Sequence, residues 1–330
     1  MRIAIVTENF LPKVDGVTRT LARLLEYLQA HHHQVILLGP ESGLDTYAGA
    51  QLYGTSGLPF PPYPELKLNF WRSEFTKQLI RFQPHVIHLV DPVFLCAAAL
   101  FSILKLNKSK LSHIPIVASY HTNLASYCIQ FGYGSWIANL MWRWNRFCHS
   151  HCCYTVCPSN STKQALEKNG FKNLRLWYRG IDTDLFTPTK RSNALRYQWI
   201  CSKDKVIILY VGRVSYEKNL GLLLNSYKGM DHRRCHLIIV GDGPALKNMK
   251  RECHQQNIPV TYTGYLHGLE LAVAYASADI FAFPSFTETF GQVILESMAS
   301  GLPVVGLLAE GVRDLVTDQE TGLLLDASSK

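Results

Sequence analysis

The sequence lacks the features that mark several large classes of protein. No uninterrupted apolar run approaches the length of a bilayer-spanning helix, so a membrane-embedded chain is not predicted. The first residues are predicted to form a strand, and an acidic residue, Glu8, follows within eight positions. This pattern is not that of a secretory leader, so none is recognised. The nine cysteines show no framework of short paired spacings, so reduced thiols in a cytoplasmic protein are expected. No tract of lysine or arginine of the kind that binds nucleic acid is present.

The turn after the first predicted strand also lacks the pattern Gly-x-Gly-x-x-Gly. It runs from Glu8 to Val17 and contains one glycine, Gly16. Because that pattern binds the pyrophosphate of nicotinamide and flavin cofactors, an enzyme using either is disfavoured. Gly16 still opens the first predicted helix, where its backbone can approach a phosphate or a sugar. A plain turn glycine is an equally good interpretation.

What is present is the composition of a globular protein. The chain has 330 residues, of which 47% are hydrophobic and 18% are charged, and this length predicts two domains with a core each. The formal net charge of +8 favours anionic partners, either phosphates or an acidic membrane surface.

Apolar strands alternate with amphipathic helices from end to end, which predicts an α/β fold of two doubly wound, Rossmann-like domains facing a cleft. We place the first domain at 1–178, a linker at 179–189 and the second domain at 190–330. The segment 40–69 is predicted to be irregular, with a rigid proline-rich loop at 58–64. In such sheets ligands bind beyond the carboxyl ends of the strands.

The segment 283–301 is the one around which the second domain is organised. It leaves a strand at Phe283, crosses a Pro-Ser turn and enters a helix. Glu288 in the loop and Glu296 inside the helix stand eight positions apart, with Gly291 between them. The first amides of a helix attract an anion, so the segment offers a phosphate site with a carboxylate on each side. An ordinary strand–loop–helix with two solvated glutamates is the alternative.

Two further loops of the second domain carry candidate residues. Gly212 follows the domain's first predicted strand and permits close approach of a ligand, while Arg213 and Lys218 place two cations where a diphosphate would develop charge. Solvated surface cations are the alternative. Gly241 begins a second glycine turn, which tight packing explains equally well.

In the first domain, His121 directly follows the strand predicted at 116–120. A single histidine is usually structural, but this position favours a hydrogen bond to a reacting sugar.

Two other clusters admit more than one interpretation. Four cysteines between Cys148 and Cys157, with two histidines, match no standard zinc spacing, and we predict no metal site. The helix at 134–148 carries Trp136, Trp142 and Trp144 beside arginines. Such a helix suits a membrane interface, although a core-packed helix with solvated arginines is the favoured interpretation.

Taken together, these loops resemble glycosyltransferase family 4, whose members are retaining enzymes of the GT-B fold. The resemblance rests on four motifs in this order: the linker Arg179-Gly180-Ile181-Asp182 with Phe186-Thr187-Pro188, then Gly212-Arg213 with Glu217-Lys218-Asn219, then Gly241-Asp242-Gly243-Pro244, and Glu288-x7-Glu296. Within the family, segments 10–17 and 119–122 are most similar to the sulfoquinovosyldiacylglycerol synthase branch. The phosphatidylinositol mannosyltransferases are the next most similar.

The resemblance implies a role for each motif residue. Arg213 and Lys218 would neutralise the donor diphosphate, and Glu288 would hold hydroxyls of the donor sugar. Glu296 would accept the ribose hydroxyls. The remaining donor-binding residues implied are Gly16 at the phosphate, His121 at the sugar, Gly241, Tyr265 and Leu266 at the base, the amides of Phe290 and Gly291, and Val293. No metal or other cofactor is implied.

The implied activity is retaining transfer of a hexose-type sugar from a nucleotide sugar, expected to be a UDP-sugar, to a lipid such as diacylglycerol. Attack on the same face, with the departing phosphate as base, would leave Glu288 no nucleophilic role. A GDP-mannose-dependent mannosyltransferase and a non-catalytic nucleotide-sugar-binding protein are the alternatives. The chain departs from the pattern at Glu310-Gly311, where Gly-Gly is frequent, and stops at Lys330 before further helices that the family carries. A truncated second domain is therefore expected.

Overall fold

The computed structural model describes residues 1–12, 16–60, 63–108, 113–130, 132–200, 204–286, 288–309 and 311–326. The chain divides into two compact units, Met1–Tyr178 and Arg179–Lys330.

The first unit is built on a sheet whose strands run parallel, apart from one short strand at its edge. The strands of this unit are β1 (Arg2–Thr7), β2 (Gln34–Pro40), β3 (Thr46–Tyr47), β4 (Ala50–Thr55), β5 (Leu58–Phe60), β6 (Tyr63–Leu68), β7 (Val86–Val90), β8 (Ile116–Ser119), β9 (Tyr154–Cys157) and β10 (Leu174–Leu176). The sheet order is β10-β9-β8-β7-β1-β2-β4-β3, while β5 and β6 form a separate antiparallel pair.

Helices cover both faces of this sheet, as a parallel sheet requires. They are α1 (Gly16–Ala30), α2 (Ser73–Phe82), α3 (Leu95–Lys108), α4 (Leu124–Gln130), α5 (Ser135–Ser150) and α6 (Asn160–Lys168). Alternate residues of β1 enter different cores: Ala4 and Val6 join one cluster, and Ile5 joins the cluster beneath α1.

The second unit has an all-parallel sheet in the order β13-β12-β11-β14-β15-β16. These strands are β11 (Val206–Val211), β12 (Cys235–Val240), β13 (Val260–Gly264), β14 (Ile280–Phe283), β15 (Val304–Leu307) and β16 (Gly322–Leu325). The helices are α7 (Asn193–Ile200), α8 (Leu220–Lys228), α9 (Leu246–Gln255), α10 (Gly268–Ser277) and α11 (Gln292–Ala299). The α/β prediction of two Rossmann-like domains is confirmed.

Both sheets reverse their strand order at one point, between β1 and β7 in the first unit and between β11 and β14 in the second. Helices leave such a switch point on opposite faces, and a crevice opens beyond the carboxyl ends of the two strands. The candidate loops after β11 and β14 begin at this position in the second unit.

The prediction that 40–69 is irregular was wrong. Ala50–Thr55 forms β4, which pairs parallel with β2, and Leu58–Phe60 pairs with the strand Tyr63–Leu68. The signal was weak because β4 lies beside the edge strand and carries polar residues, so it lacks the apolar run of a central strand. Residues 61 and 62 of the predicted proline-rich loop lie outside the described residues.

Candidate active site

The loop that connects β14 to α11 is held by the carboxylate of Glu288. Its Oε1 accepts the N–H of Gly291 at 3.1 Å and that of Phe290 at 3.5 Å. Gly291 has a φ of +86°, a left-handed conformation that glycine adopts without strain, and the helix begins at the next residue. The amides predicted to meet a phosphate are therefore engaged here by the protein's own carboxylate.

The other oxygen of Glu288 forms an ion pair with Lys218, whose Nζ lies 3.1 Å from Oε2. Burial opposes ionisation of Glu288, but the Lys218 ammonium and the two amides outweigh it and hold the pKa of this carboxyl below its ordinary value. One cation and two helix-start amides thus converge on one anionic group. This is the donor set that a phosphate oxygen needs.

The turn after β11 presents Lys218. Residues 216–218 form a single 3-10 turn, in which the N–H of Lys218 bonds to the carbonyl of Ser215 at 3.1 Å. Asn219 then takes a left-handed conformation with φ +54° at the position immediately before α8. The Lys218 ammonium also lies 5.9 Å from the ring centroid of Phe283, at the end of β14.

Arg213 lies in the same turn, two residues beyond the end of β11. Its carbonyl accepts the hydroxyl of the fully buried Tyr210 at 2.9 Å, which ties the turn to the strand beneath it. Tyr210 was not singled out from the sequence. Its hydroxyl within an otherwise apolar strand is the one signal that was available.

Gly241 is required by close approach of two loops. Its φ is +133°, and a Cβ at this position would overlap the carbonyl oxygen of Gly212. Its N–H bonds to the carbonyl of Gly264 at 2.8 Å, so the loops after β11, β12 and β13 meet here. The two residues predicted to border the base follow Gly264. Tyr265 is 59% exposed and reaches the carbonyl of Asp242 at 3.3 Å, and Leu266 packs partly on the core.

Glu296 lies deeper than Glu288 and is only 2% exposed. Its Oε2 accepts the hydroxyl of the buried Tyr275 at 3.0 Å. Tyr275, on α10, is a second partner that the sequence did not reveal. The role of Glu296 at the ribose stays a prediction.

The start of α11 is packed from two sides. Phe290 is buried, with the Arg179 guanidinium 5.4 Å from its ring centroid, and Val293 packs partly on the core. Gly311, at φ +76°, lies so close to the loop that a Cβ there would come within 2.9 Å of the Phe290 nitrogen. Glu310, the other half of the Glu310-Gly311 departure, lies outside the described residues.

In the first unit, His121 is buried two residues after the end of β8. Its N–H bonds to Oδ1 of Asp91 at 2.6 Å, and its Nε2 lies 2.8 Å from Oγ of Ser119. Asp91 follows β7 with φ +49° and also accepts the hydroxyl of Thr122 at 2.9 Å. Gly16 is exposed at the first position of α1, and residues 13–15 before it are not described.

Glu8 adds a carboxyl group that the sequence did not mark as a site residue. It follows β1, and its Oε1 accepts the N–H groups of Phe94 and Cys96 at 2.8 and 3.0 Å, where α3 begins. Burial raises the pKa of Glu8 to about 7 and outweighs the backbone amide bonds, which lower it; the nearby Asp91 carboxylate adds a smaller upward contribution.

The structure shows where the residues of the cysteine cluster and of the tryptophan-bearing helix lie. No group of metal-ligating side chains occurs among the described residues, and Cys148, Cys152 and Cys157 are buried thiols. On α5, Trp142 and Trp144 pack on core clusters, while Trp136 is 69% exposed.

Comparison with known proteins agrees with this architecture. Residues 14–185 match the model of Glycosyltransferase Family 4, and residues 193–330 match that of Glycosyl transferases group 1. The fold is that of GT-B glycosyltransferases: sucrose-phosphate synthase from Thermosynechococcus elongatus superposes with a TM-score of 0.78 at 19% identity, over 99% of this chain and 86% of that one.

Three curated relatives extend the match over nearly the whole chain. A GDP-mannose-dependent alpha-mannosyltransferase of Corynebacterium glutamicum is 36% identical over 99% of this chain and 77% of its own length. Sulfoquinovosyl transferase SQD2 of Arabidopsis thaliana is 32% identical over 97% and 62%. An alpha-monoglucosyldiacylglycerol synthase of Streptococcus pneumoniae is 26% identical over 98% and 75%. The chain belongs to the family 4 glycosyltransferases and is an enzyme of the sugar-transferring class.

Proposed function

We propose that this protein transfers a hexose, with retention of configuration, from a nucleoside diphosphate sugar to a lipid acceptor. The observation that carries the proposal is the convergence of Lys218 and the amides of Phe290 and Gly291 on one anionic group, the carboxylate of Glu288. A donor phosphate has the charge and the acceptor oxygens that this set of donors fits.

The chemistry follows from charge that develops on the leaving group. As the bond between the sugar and the diphosphate breaks, negative charge grows on the phosphate oxygen, and Lys218 and Arg213 are the cations of the β11 turn that can stabilise it. Retention is explained by attack of the acceptor hydroxyl on the face that the phosphate leaves, with the phosphate taking the proton. Glu288, ionised and already bonded to three donors, is suited to accept sugar hydroxyls rather than to attack carbon.

The donor has two candidates. The sequence resemblance favoured a UDP-sugar, as in the sulfoquinovosyl branch, whereas the 36% identical relative is named as GDP-mannose-dependent. GDP-mannose is therefore the first donor to test, and UDP-sugars are the second. Tyr265 and Leu266 are the residues proposed to border the base, so donor choice is expected to depend on them.

A lipid acceptor is supported by the exposed face of α5. Trp136, Leu140, Arg143 and Phe147 are all exposed and follow one another at helical spacing. The whole segment 92–166 contains no aspartate or glutamate, so nothing acidic in it opposes an anionic lipid surface. In the described part of the chain, no helix combines the length and apolarity needed to cross a bilayer. Exposed aromatic and basic side chains on one helix face are typical of interfacial binding.

A donor screen tests the proposal. The purified chain is incubated with anionic vesicles containing diacylglycerol and labelled GDP-mannose, UDP-glucose or UDP-galactose, and labelled glycolipid is measured with its anomeric configuration. An α-linked product from an α-linked donor is expected. Absence of transfer from every UDP- and GDP-sugar to lipid and glycan acceptors, combined with calorimetric binding of UDP or GDP, would instead support the non-catalytic alternative.

A further inference from the structure

The hydroxyl of Ser119 lies between two imidazole rings. Its Oγ is 2.8 Å from Nε2 of His88 and 2.8 Å from Nε2 of His121. His88 was not singled out from the sequence, because it stands inside the apolar strand Val86–Val90 and its partner is on another strand.

The sheet register creates this contact. In the parallel pairing of β7 with β8, His88 stands opposite Val117 and Val90 stands opposite Ser119. Side chains two positions apart on a strand share a face, so Ser119 lies on the same face of the sheet as Val117 and its neighbour His88. Ser119 is two residues nearer the carboxyl end of the strand. His121 then returns to Ser119 from the loop beyond the strand.

The surroundings hold both rings in place. The backbone N–H of His121 is fixed by Asp91 at 2.6 Å, and the ring of Trp177 meets both imidazoles edge to face, with centroids 5.8 Å from His88 and 6.0 Å from His121. The tryptophan ring therefore packs against both histidine rings.

The single hydroxyl proton of Ser119 can be donated in only one of the two contacts. One imidazole must therefore be protonated at Nε2 and the other unprotonated there. Ser119 can donate to one Nε2 only and must accept a proton from the other. Burial lowers the pKa of His88 to about 4, so His88 is neutral and carries one ring proton. Among the described residues, Ser119 is the hydrogen-bond partner of the His88 ring, and that proton is best placed on Nε2, where an acceptor stands.

We infer that His88 is a positioning residue that acts through Ser119 to set the tautomer of His121. His88 Nε2–H donates to Ser119, Ser119 donates to Nε2 of His121, and the His121 proton is held on Nδ1. In this tautomer the N–H donor of the His121 ring is at Nδ1. A contact between that ring and the donor sugar rests on the proposed function, whereas the tautomer does not.

The tautomer is measured directly by nitrogen-15 NMR of the histidine rings in the ligand-free protein. The His121 signals are assigned by their loss in His121→Asn. We expect a protonated Nδ1 and an unprotonated Nε2 in the wild type, and the converse in Ser119→Ala, where the donor to Nε2 is removed. A wild-type His121 protonated on Nε2 would overturn the inference.

Two substitutions of His88 separate positioning from structural support. The amide nitrogen of glutamine can replace Nε2–H, so His88→Gln is expected to preserve the His121 tautomer and at least half of the turnover rate. His88→Leu keeps bulk without a donor and is expected to give mixed tautomers. Its kcat should fall about 10- to 100-fold at unchanged donor KM. Losses of this size occur when the partner that orients a metal-binding histidine is removed. Equal loss in both variants, or no loss in either, would contradict a role for the proton.

The matched control is His236→Leu. His236 makes a similar cross-strand bond, from Nε2 to Oγ1 of Thr261 at 2.9 Å, in the sheet of the second unit, and its loss should leave the His121 signals unchanged. If the tautomer is as inferred but His121→Ala retains full activity, the proposed contact with the sugar fails and the positioning by His88 stands.

Discussion

The ammonium of Lys218 lies 3.1 Å from the carboxylate of Glu288, which accepts the Gly291 amide with its other oxygen. A residue of the β11 turn and a residue of the β14 loop are thereby joined at the switch point of the second sheet. In this arrangement Glu288 occupies the position to which the cation and the helix amides direct an anion. If the donor phosphate binds as proposed, it shares this cation and these amides with the carboxylate of Glu288.

Removal of the Lys218 charge is expected to lower kcat/KM by about 10²-fold or more, the scale of one lost electrostatic contact in a transition state. Glu288→Ala should cause a loss of similar size, because the sugar hydroxyls lose their acceptor. Initial rates of sugar transfer measure both effects. Lys163→Ala is the control, since Lys163 forms an exposed pair with Glu167 at 3.5 Å. Wild-type rates in Lys218→Ala or Glu288→Ala would refute the assigned role.

The same pair makes stability depend on pH in a defined direction. The pKa of Glu288 is lowered in the folded chain, so its contribution is present above the unfolded value of about 4.3 and is lost as pH falls through the folded value. Lys218→Met removes the ammonium partner of this carboxylate and should lower the Tm most at neutral pH. The difference from wild type should shrink as pH falls through the lowered pKa of Glu288 and the carboxylate is protonated. A Tm difference that is constant with pH would show that the pair is not its origin.

Gly311 packs against the backbone of the Glu288 loop, and we expect Gly311→Ala to disturb this loop. The new Cβ would lie within 2.9 Å of the Phe290 nitrogen, at a φ of +76° that alanine adopts poorly. Displacement of the Phe290 and Gly291 amides should raise the donor KM at least about tenfold, as small misplacements at a reacting centre do. Gly221→Ala is the control, because Gly221 lies in α8 and a Cβ added there would meet no neighbouring atom within 4 Å outside its own helix backbone. Equal KM values in the two variants would exclude the support role.

Much of this site follows from sequence because its residues are local to strand ends. The geometry of segment 283–301 can be predicted from its own sequence, because the strand end, the turn and the start of the helix follow one another along the chain. His88 and Ser119 could not be paired in advance, because the contact depends on the register of β7 against β8, thirty-one residues apart. The bond from Tyr275 to Glu296 could not be predicted for a similar reason, because the two residues lie on different helices. Helix α10 is also largely apolar, so core packing alone would explain an aromatic residue in it.

Glu8 makes a second pH prediction with the opposite sign. Burial raises the pKa of Glu8 to about 7, so the folded chain binds more protons than the unfolded chain between about pH 4.3 and 7. Stability from this group therefore falls as pH rises through that window, and Glu8→Gln should remove this part of the dependence. Thermal unfolding at several pH values measures it, with Glu74→Gln, an exposed glutamate on α2, as control. A wild-type pH profile in Glu8→Gln would contradict the raised pKa.

The exposed face of α5 predicts how the protein meets its acceptor. Trp136 is 69% exposed and Leu140 is 52% exposed, and burying either side chain in a lipid interface contributes about 1.5–3 kcal/mol. Trp136→Ser with Leu140→Ser should therefore lower partitioning onto anionic vesicles at least about tenfold, while transfer to a short-chain acceptor in solution is unchanged. Co-sedimentation measures the partitioning, and Tyr197→Ser, which removes an aromatic side chain of similar exposure from α7, is the control. Undiminished vesicle binding by the double variant, or an equal loss in Tyr197→Ser, would assign the contact with lipid to another surface.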